Sequence, residues 1–242
     1  MKTRIFLFGA LMALLVAGCA RRSISDSGYH GSGGHARSGQ GHNPDYRGEL
    51  SEFDVLGVQR TNQVTEEEII RALDRAGRVK LRKGEPVMVI QSGAFQPDEP
   101  MRAALSRHFN VVPFSGQAER GNNGSYARSL RLAAAQAGCE TVLCYWGVLE
   151  TARRGLETKA VSWVPIAGWV LPDEKQAMRI QLKVALVDVR TGNWTMFAPE
   201  AFENRASSLR FSRESSDQGQ VEKLKRLAYE SATTSLVNAY AN

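Results

Sequence analysis

Histidine and cysteine are scarce in this sequence, and their scarcity limits the catalytic sites it could form. The 242 residues include four histidines and three cysteines, and only His108 lies outside the glycine- and serine-rich stretch near the N-terminus. A Ser-His-Asp or Cys-His nucleophile in the folded part would depend on His108. Gly-x-Ser-x-Gly, His-Glu-x-x-His and Walker phosphate-binding patterns are also missing. We expect no catalytic residues and no cofactor; the alternative is a hydrolase that uses carboxylates, or Cys144 with His108.

The two cysteines away from the N-terminus, Cys139 and Cys144, are too far apart to bond to each other if the strand that follows begins at or before Cys139. The run from Thr141 to Gly147 has the apolar composition of a strand, in which five steps separate two Cα atoms by about 16 Å. A disulfide requires Cα atoms within about 7 Å. We therefore predict two thiols, at least one of them buried as a small apolar side chain.

The first twenty residues have the pattern of an export signal. Lys2 and Arg4 precede an almost purely apolar run, 5–16, which is too short to cross a bilayer core of about 30 Å as a helix. A basic start, a short apolar core and a small-residue exit are typical of a secretory signal peptide. The exit, Val16-Ala17-Gly18-Cys19, resembles the lipobox of bacterial lipoproteins, in which the cysteine receives acyl chains and becomes the first mature residue.

This resemblance implies a signal peptide over residues 1–18 and a membrane anchor on Cys19. Each buried CH₂ of an acyl chain is worth about 0.8 kcal/mol, so several chains hold a protein to a membrane almost permanently. Ala20 rather than Asp follows the cysteine, and the sorting pattern of such lipoproteins then implies the periplasmic face of the outer membrane. The alternative is an ordinary cleaved signal with an incidental cysteine.

Residues 19–47 are rich in Gly, Ser, Arg and His, and they show no apolar periodicity. We predict a flexible tether here. His30, His35 and His42 lie in it, but their spacings lack the pattern of structural zinc sites, so we expect no metal. Most of the net charge of +6 belongs to the signal peptide and this stretch, so the isoelectric point of 9.4 does not indicate nucleic-acid binding.

Residues 48–242 alternate helical and strand patterns, as one α/β domain does. A capping-box pattern, 65–68, precedes an apolar helical face from Ile69 to Ala76. Strands that alternate with helices imply right-handed crossovers onto one sheet, and a late hairpin adds antiparallel strands. We therefore predict a mixed sheet of about five strands with helices packed on it. The predicted strands are 86–90, 111–114, 140–149, 176–189 and 194–202; the predicted helices are 65–76, 98–109, 125–137 and 218–240.

Residues 151–173 interrupt the alternation of helical and strand patterns. They contain the run SWVPIAGWVLP, which includes Trp163 and Trp169. The run could cover one end of the core. It could instead form an exposed apolar patch for a partner or for the membrane surface, where tryptophan is favoured. The sequence leaves both interpretations open.

Four sequence segments together suggest a family: PVMVIQSGAF, MRAALSRHFNVVPFSG, AGCETVLCYWGVLE and QLKVALVDVRTGNW. They resemble segments of the CsgG, LpoB and TolB-N-terminal-like group of envelope lipoproteins and are similar to DUF799-like lipoproteins. The resemblance implies a non-catalytic periplasmic domain that binds other envelope proteins in an assembly, transport or cell-wall role, in some cases as a homo-oligomer. An oligomeric secretion or pore accessory is an alternative. Residues 151–178 hold at most one weak candidate for the transmembrane hairpins of CsgG, which favours a peripheral lipoprotein.

Overall fold

The computed structural model describes residues 22–26, 43, 45–58, 64–117, 126–154, 161–165, 178–203 and 216–241. The predicted signal peptide, Cys19, the three histidines of the predicted tether and Trp169 lie outside the described residues. The described helices are α1 (Glu52–Leu56), α2 (Glu66–Asp74), α3 (Glu99–Ser106), α4 (Tyr126–Gln136) and α5 (Ser216–Tyr240). The described strands are β1 (Arg22–Ser23), β2 (Pro86–Gln91), β3 (Asn110–Phe114), β4 (Thr141–Arg154), β5 (Val161–Pro165), β6 (Met178–Asp188), β7 (Trp194–Phe197) and β8 (Phe202–Glu203).

The sheet is built around β4, the longest of these strands. β2 pairs in parallel with β3 on one side and with β4 on the other, and the helices α3 and α4 make the two crossovers. β6 pairs with β4 in antiparallel, and β7 pairs with β6 through the predicted hairpin turn. The five-strand path β3-β2-β4-β6-β7 confirms the predicted mixed sheet, and β1, β5 and β8 extend it.

Helices cover both faces of this sheet. α3 and α5 pack on one face, where Met101, Leu105 and Tyr229 join the larger apolar cluster. α1 and α4 pack on the other face through Val55 and Leu130. A parallel strand that is covered on both faces is apolar along its whole length, and β2 is accordingly buried from its second residue to its last.

α2 differs from the other helices because none of its residues is buried. Its start is as predicted: Thr65 Oγ1 accepts a hydrogen bond from the Glu68 backbone N–H, and Glu68 Oε2 accepts one from the Thr65 N–H. Its apolar face does not pack on the core, since Ile69, Ile70 and Leu73 are 45%, 56% and 70% exposed. Apolar periodicity thus predicts the helix here, but it does not predict what covers the apolar side.

Part of the predicted tether belongs to the sheet. β1 pairs with β4 in antiparallel, with Arg22 opposite Leu149 and Ser23 opposite Val148. Ser23, Ile24 and Ser25 are buried. The tether predicted over residues 19–47 is therefore corrected at residues 22–26, where tertiary contacts stabilise a strand too short to show a sequence pattern.

β4 continues to Arg154, five residues beyond its predicted end, and β5 pairs with this extension in antiparallel. The backbone of Trp163 lies in β5, opposite Ala152. The interruption at 151–173 therefore includes an antiparallel pair of strands. Among the described residues, none of the helices combines the length and the hydropathy needed to cross a bilayer.

Candidate functional site

The structure separates the two residues from which a cysteine hydrolase would be built. Cys144 is fully buried in β4, opposite Ile90 of β2, and burial raises the pKa of its thiol well above the ordinary value. His108 lies after α3, near the opposite end of β2. The shallow depression beside His108 is lined by residues such as Lys83 and Arg107, and its described lining contains no thiol or carboxylate. Cys144 and His108 therefore lie near opposite ends of β2.

The thiols of Cys139 and Cys144 are free and buried, which confirms the prediction that they are not bonded to each other. Both pack in the apolar cluster beneath α4. Burial also raises the pKa of the Cys139 thiol. Neither side chain has the lowered pKa and the exposure of a reactive cysteine.

The most connected polar cluster lies at the carboxyl end of β2, where β1 enters the sheet. The carboxyl ends of parallel strands are where α/β folds usually gather their functional groups. Here those groups hold another part of the same chain. We call this cluster the β1 seat; its members are Ser23, Ile24, Ser25, Gln91, Ser92, Asp98, Tyr145, Gly147, Lys225 and Tyr229.

Gln91 is the centre of the β1 seat. Its Oε1 accepts hydrogen bonds from the Tyr145 hydroxyl (2.6 Å) and from the Asp98 backbone N–H (2.7 Å), and its Nε2 donates to Ser25 Oγ (2.9 Å). Ser25 Oγ donates in turn to the Ser92 carbonyl (2.6 Å). Because Gln91 is only 1% exposed, water cannot replace a lost partner. A buried polar group that loses its partner costs about 1–3 kcal/mol.

An ion pair ties α5 to the same place. Lys225 Nζ lies 2.9 Å from Asp98 Oδ2 and donates to the Ile24 carbonyl at 3.1 Å. The Tyr229 hydroxyl donates to the same Asp98 oxygen at 2.6 Å. Asp98 is the N-cap residue of α3, but its side chain makes no capping hydrogen bond because residues of α5 bind the carboxylate. Burial raises the pKa values of Tyr145 and Tyr229, so both hydroxyls remain protonated donors.

Gly147 gives Ile24 the room it occupies. The Ile24 N–H donates to the Gly147 carbonyl at 3.0 Å, and the Ile24 side chain is 1% exposed. A Cβ atom at position 147 would lie 2.5 Å from Ile24 Cδ1 and 2.9 Å from Leu182 Cδ2. Any larger residue at Gly147 would therefore displace the N-terminal segment or its neighbours.

The chain returns to the β1 seat at Asn43. The Asn43 side chain donates from Nδ2 to the Ser25 carbonyl (2.9 Å), and its backbone N–H donates to Asp26 Oδ1 (3.4 Å). Asp26 and Asn43 thus lie at the same point of the fold, although 17 positions separate them along the chain.

Sequence reasoning missed the β1 seat. The only signals are the alternation Arg22-Ser23-Ile24-Ser25, with one apolar residue in a polar stretch, and the polar Gln91 at the end of an apolar strand. Four alternating residues are too few to distinguish a strand from chance.

A second surface stands out by its exposure. The apolar side of α2 and the residue before it remain uncovered in the described structure. The helix is held near the turn after β6, where Asn193 Nδ2 donates to the Arg75 carbonyl at 3.0 Å. We call this surface the α2 face; it consists of Val64, Ile69, Ile70 and Leu73.

The site residues predicted from sequence lie mostly outside what the structure describes. Cys19 and Trp169 are among the undescribed residues, and for Trp163 only the backbone is described. Acylation of Cys19 and a partner or membrane contact through the two tryptophans therefore stay predictions.

Comparison with known proteins identifies the family. The sequence model of the YafT bacterial lipoproteins matches residues 51–239, which include every described helix and all described strands except β1. The chain belongs to the YafT bacterial lipoprotein family. As a YafT lipoprotein it is a lipid-anchored protein of the bacterial envelope. The likeness to CsgG, LpoB and TolB stays a prediction.

Two solved structures are similar to this YafT-family chain. The hypothetical protein CT253 from Chlamydia trachomatis is 12% identical, with 64% of this chain and 94% of that chain covered and a TM-score of 0.32. Lipoprotein GNA1162 from Neisseria meningitidis is 13% identical, with 64% of this chain and 99% of that chain covered and a TM-score of 0.26. No curated protein matched.

Proposed function

We propose that this chain is an outer-membrane lipoprotein, acylated on Cys19, whose periplasmic domain binds another envelope protein through the α2 face and catalyses no reaction of its own. The lipobox-like exit before Cys19 and the Ala20 that follows it support the anchor and the choice of membrane. Membership of a lipoprotein family supports the envelope location.

The exposure of the α2 face carries the proposal of a protein partner. A helix with a pronounced apolar stripe normally buries that stripe. Here Ile69, Ile70 and Leu73 present it to solvent. Full burial of one such side chain is worth about 1.5–3 kcal/mol, so three adjacent ones can form the centre of an interface.

The charges around the α2 face indicate what the partner offers. At 100° per residue, Glu66 continues the apolar stripe, while Glu67 and Asp74 flank it on one side. Arg71 is turned back, with its Nε donating to the Glu67 carbonyl at 3.1 Å. An acidic border suits a partner surface that is apolar at its centre and basic at its rim. A second copy of this chain would place acid against acid, so we assign the surface to a different protein.

The form of the hydrolase alternative that uses Cys144 with His108 lacks support in the described residues, because the two lie apart and the thiol is buried. An oligomeric secretion or pore accessory that assembles through Trp163 and Trp169 depends on side chains outside the described ones. The α2 face, by contrast, consists of described side chains that are exposed, on a helix held by a described hydrogen bond. We therefore propose it as the partner surface.

Site-directed photocrosslinking in the native host tests this proposal. A photoreactive residue at position 73 should give one discrete heavier adduct. The same residue at position 132 on α4 is the matched control, because Leu132 is also exposed, at 59% against 70% for Leu73. The adduct protein is then identified by mass spectrometry, purified, and titrated against the wild-type chain and two variants.

Leu73→Asp should weaken binding at least about tenfold, which corresponds to about 1.4 kcal/mol and to the loss of one buried leucine. Leu132→Asp should bind like the wild type. The proposal fails if position 73 gives no adduct, if both positions give the same adduct, or if Leu73→Asp binds unchanged. An adduct of twice the chain mass would assign the surface to a homo-oligomer instead.

A further inference from the structure

We infer that the lipid anchor holds the domain directly on the membrane, with the carboxyl end of the sheet against anionic phospholipid headgroups. This inference rests on the proposed acylation of Cys19. It replaces a long tether by a connection of two residues, Ala20 and Arg21, and it assigns a membrane-contacting side to the domain.

The first argument is chain length. Arg22, the first residue of β1, is the third residue after Cys19. An extended residue spans at most about 3.6 Å, so the Cα atoms of Cys19 and Arg22 lie within about 11 Å of each other. A tether over residues 19–47 would instead have reached about 100 Å. The headgroup layer on each side of a bilayer is about 5–8 Å thick, so β1 starts at or just above it.

The second argument is that β1 is fixed in place. Ile24 is buried over Gly147, and its carbonyl accepts a hydrogen bond from Lys225 Nζ at 3.1 Å. Ser25 Oγ is held by Gln91 and by the Ser92 carbonyl. The segment therefore cannot lengthen the connection to Cys19 without breaking buried contacts.

The third argument is direction. β1 is antiparallel to β4, so the chain that leads back from Arg22 to Cys19 leaves the sheet in the direction in which β4 continues after Leu149. β4 runs five residues further, to Arg154, or about 17 Å. β5 accompanies it over this length. The paired ends of β4 and β5 thus extend at least as far from the level of Arg22 as the distance of about 11 Å that Cys19 can reach, and they therefore meet the headgroup layer.

α5 points the same way. Its last residue, Tyr240, lies near the amino end of β2, where its carbonyl accepts a hydrogen bond from the Leu81 N–H at 2.9 Å. Lys225 of the same helix reaches the β1 seat. The nine residues from Ser216 to Leu224 therefore extend about 13 Å beyond Lys225, toward the membrane.

The sequence places two basic residues and a tryptophan at this end of the backbone. Arg153 and Arg154 are the last two residues of β4, and Trp163 stands opposite Ala152 in β5. Basic residues near a bilayer are attracted to anionic lipids, and tryptophan favours the interface. The nearby Glu150 carboxylate pairs with Arg179 at 2.6 Å. Glu203 of β8 and Asp217 and Glu222 of α5 add negative charge at this end, so the two arginines and the tryptophan favour the headgroup contact without a net positive charge.

Fluorescence quenching on the full-length acylated protein tests the inference. Because Cys139 and Cys144 are buried, one new surface cysteine can be labelled selectively. Arg154→Cys marks the membrane side, and Arg190→Cys, in the turn after β6 and 84% exposed, is the matched control at the other end. The labelled proteins are reconstituted in vesicles of phosphatidylethanolamine and phosphatidylglycerol that carry a headgroup quencher.

We expect quenching at position 154 at least about fivefold stronger than at position 190, which lies more than about 40 Å further along the strands. Ten Gly/Ser residues inserted between Ala20 and Arg21 should reduce the quenching at 154. The same insertion between His35 and Ala36 should leave the quenching at 154 unchanged, since Ser25 and Asn43, on either side of this stretch, are hydrogen-bonded to each other.

The outcomes separate this inference from the proposed function. If mass spectrometry shows an acylated Cys19 but positions 154 and 190 are quenched equally, or if the two insertions act alike, the inference is wrong and the lipid anchor stands. If Cys19 carries no acyl chain, the proposed anchor is wrong, and the membrane contact derived from it is wrong as well.

Discussion

Replacement of Ile24 by Ala tests whether the N-terminal segment belongs to the fold. Ile24 is 1% exposed and joins the larger apolar cluster. The substitution removes three carbon atoms, or about 2.4 kcal/mol at about 0.8 kcal/mol each. The cavity left behind adds to this loss, so we expect the free energy of unfolding to fall by about 3 kcal/mol. The hydrogen bonds of the Ile24 backbone remain in place.

A second substitution shows that the effect arises at the predicted contact. Gly147→Ala places a Cβ within 2.5 Å of Ile24 Cδ1. Overpacking of this kind costs about 1–3 kcal/mol. In the double variant Ile24→Ala/Gly147→Ala the new methyl group occupies the space that Ile24 has left. The double variant should therefore be more stable than the sum of the two single changes predicts, by about 1 kcal/mol.

Urea unfolding, followed by far-ultraviolet circular dichroism, measures these energies on a chain that begins at Ala20. Tyr29→Ala, in the segment 27–42, is the control, and it should change the free energy of unfolding by less than about 0.5 kcal/mol. If Ile24→Ala has an equally small effect, residues 22–26 do not belong to the fold. The connection to the membrane would then be long, and the proposed membrane contact would be wrong.

Three further predictions follow from the same contacts. Replacement of residues 27–42 by four glycines should stabilise the fold by about 1 kcal/mol in urea, because a shorter loop loses less entropy on closure; a loss of stability would show that the segment makes contacts of its own. Lys225→Met should lower the free energy of unfolding by about 1–3 kcal/mol, since the ion pair with Asp98 is largely buried. Arg107→Met, whose ion pair with Glu230 is exposed, should lower it by less than about 1 kcal/mol. Equal effects of the two substitutions would contradict this reasoning. Cys139 and Cys144 should not react with a maleimide in the native chain and should both react in urea, as a mass increase of two labels shows; labelling of the native chain would refute their burial.

The regular elements follow from local sequence signals, and for that reason they could be predicted. The apolar run of β2, the capping box at Thr65 and the alternation in β6 each specify an element within about ten residues. The order of these elements then restricts the topology to a few arrangements. The mixed sheet of five strands in its main path confirms that reasoning.

The β1 seat could not be predicted because its stability is entirely tertiary. Ser25 and Gln91 are 66 residues apart, and Lys225 is 201 residues from Ile24. Composition assigns residues 22–26 to the polar stretch around them. The α2 face shows the converse limit: its periodicity is strong, yet no local signal states whether a neighbour covers the apolar side.

The chain itself fills the carboxyl end of the sheet, and the proposed partner surface lies at the other end. In α/β folds a ligand crevice usually lies beyond this end. Here the space is filled by the chain itself: a Cβ at Gly116 would lie 1.7 Å from the Gln91 carbonyl oxygen, and one at Gly93 would lie 2.6 Å from the Tyr46 ring. The end that other α/β proteins use for chemistry is thus filled by other parts of the same chain, including β1. The α2 face lies at the opposite end, beside the turn after β6, about 26 Å from the β1 seat along the strands. With the membrane contact proposed above, the uncovered apolar side of α2 would face away from the membrane, where the proposed envelope partner with a basic rim could reach it.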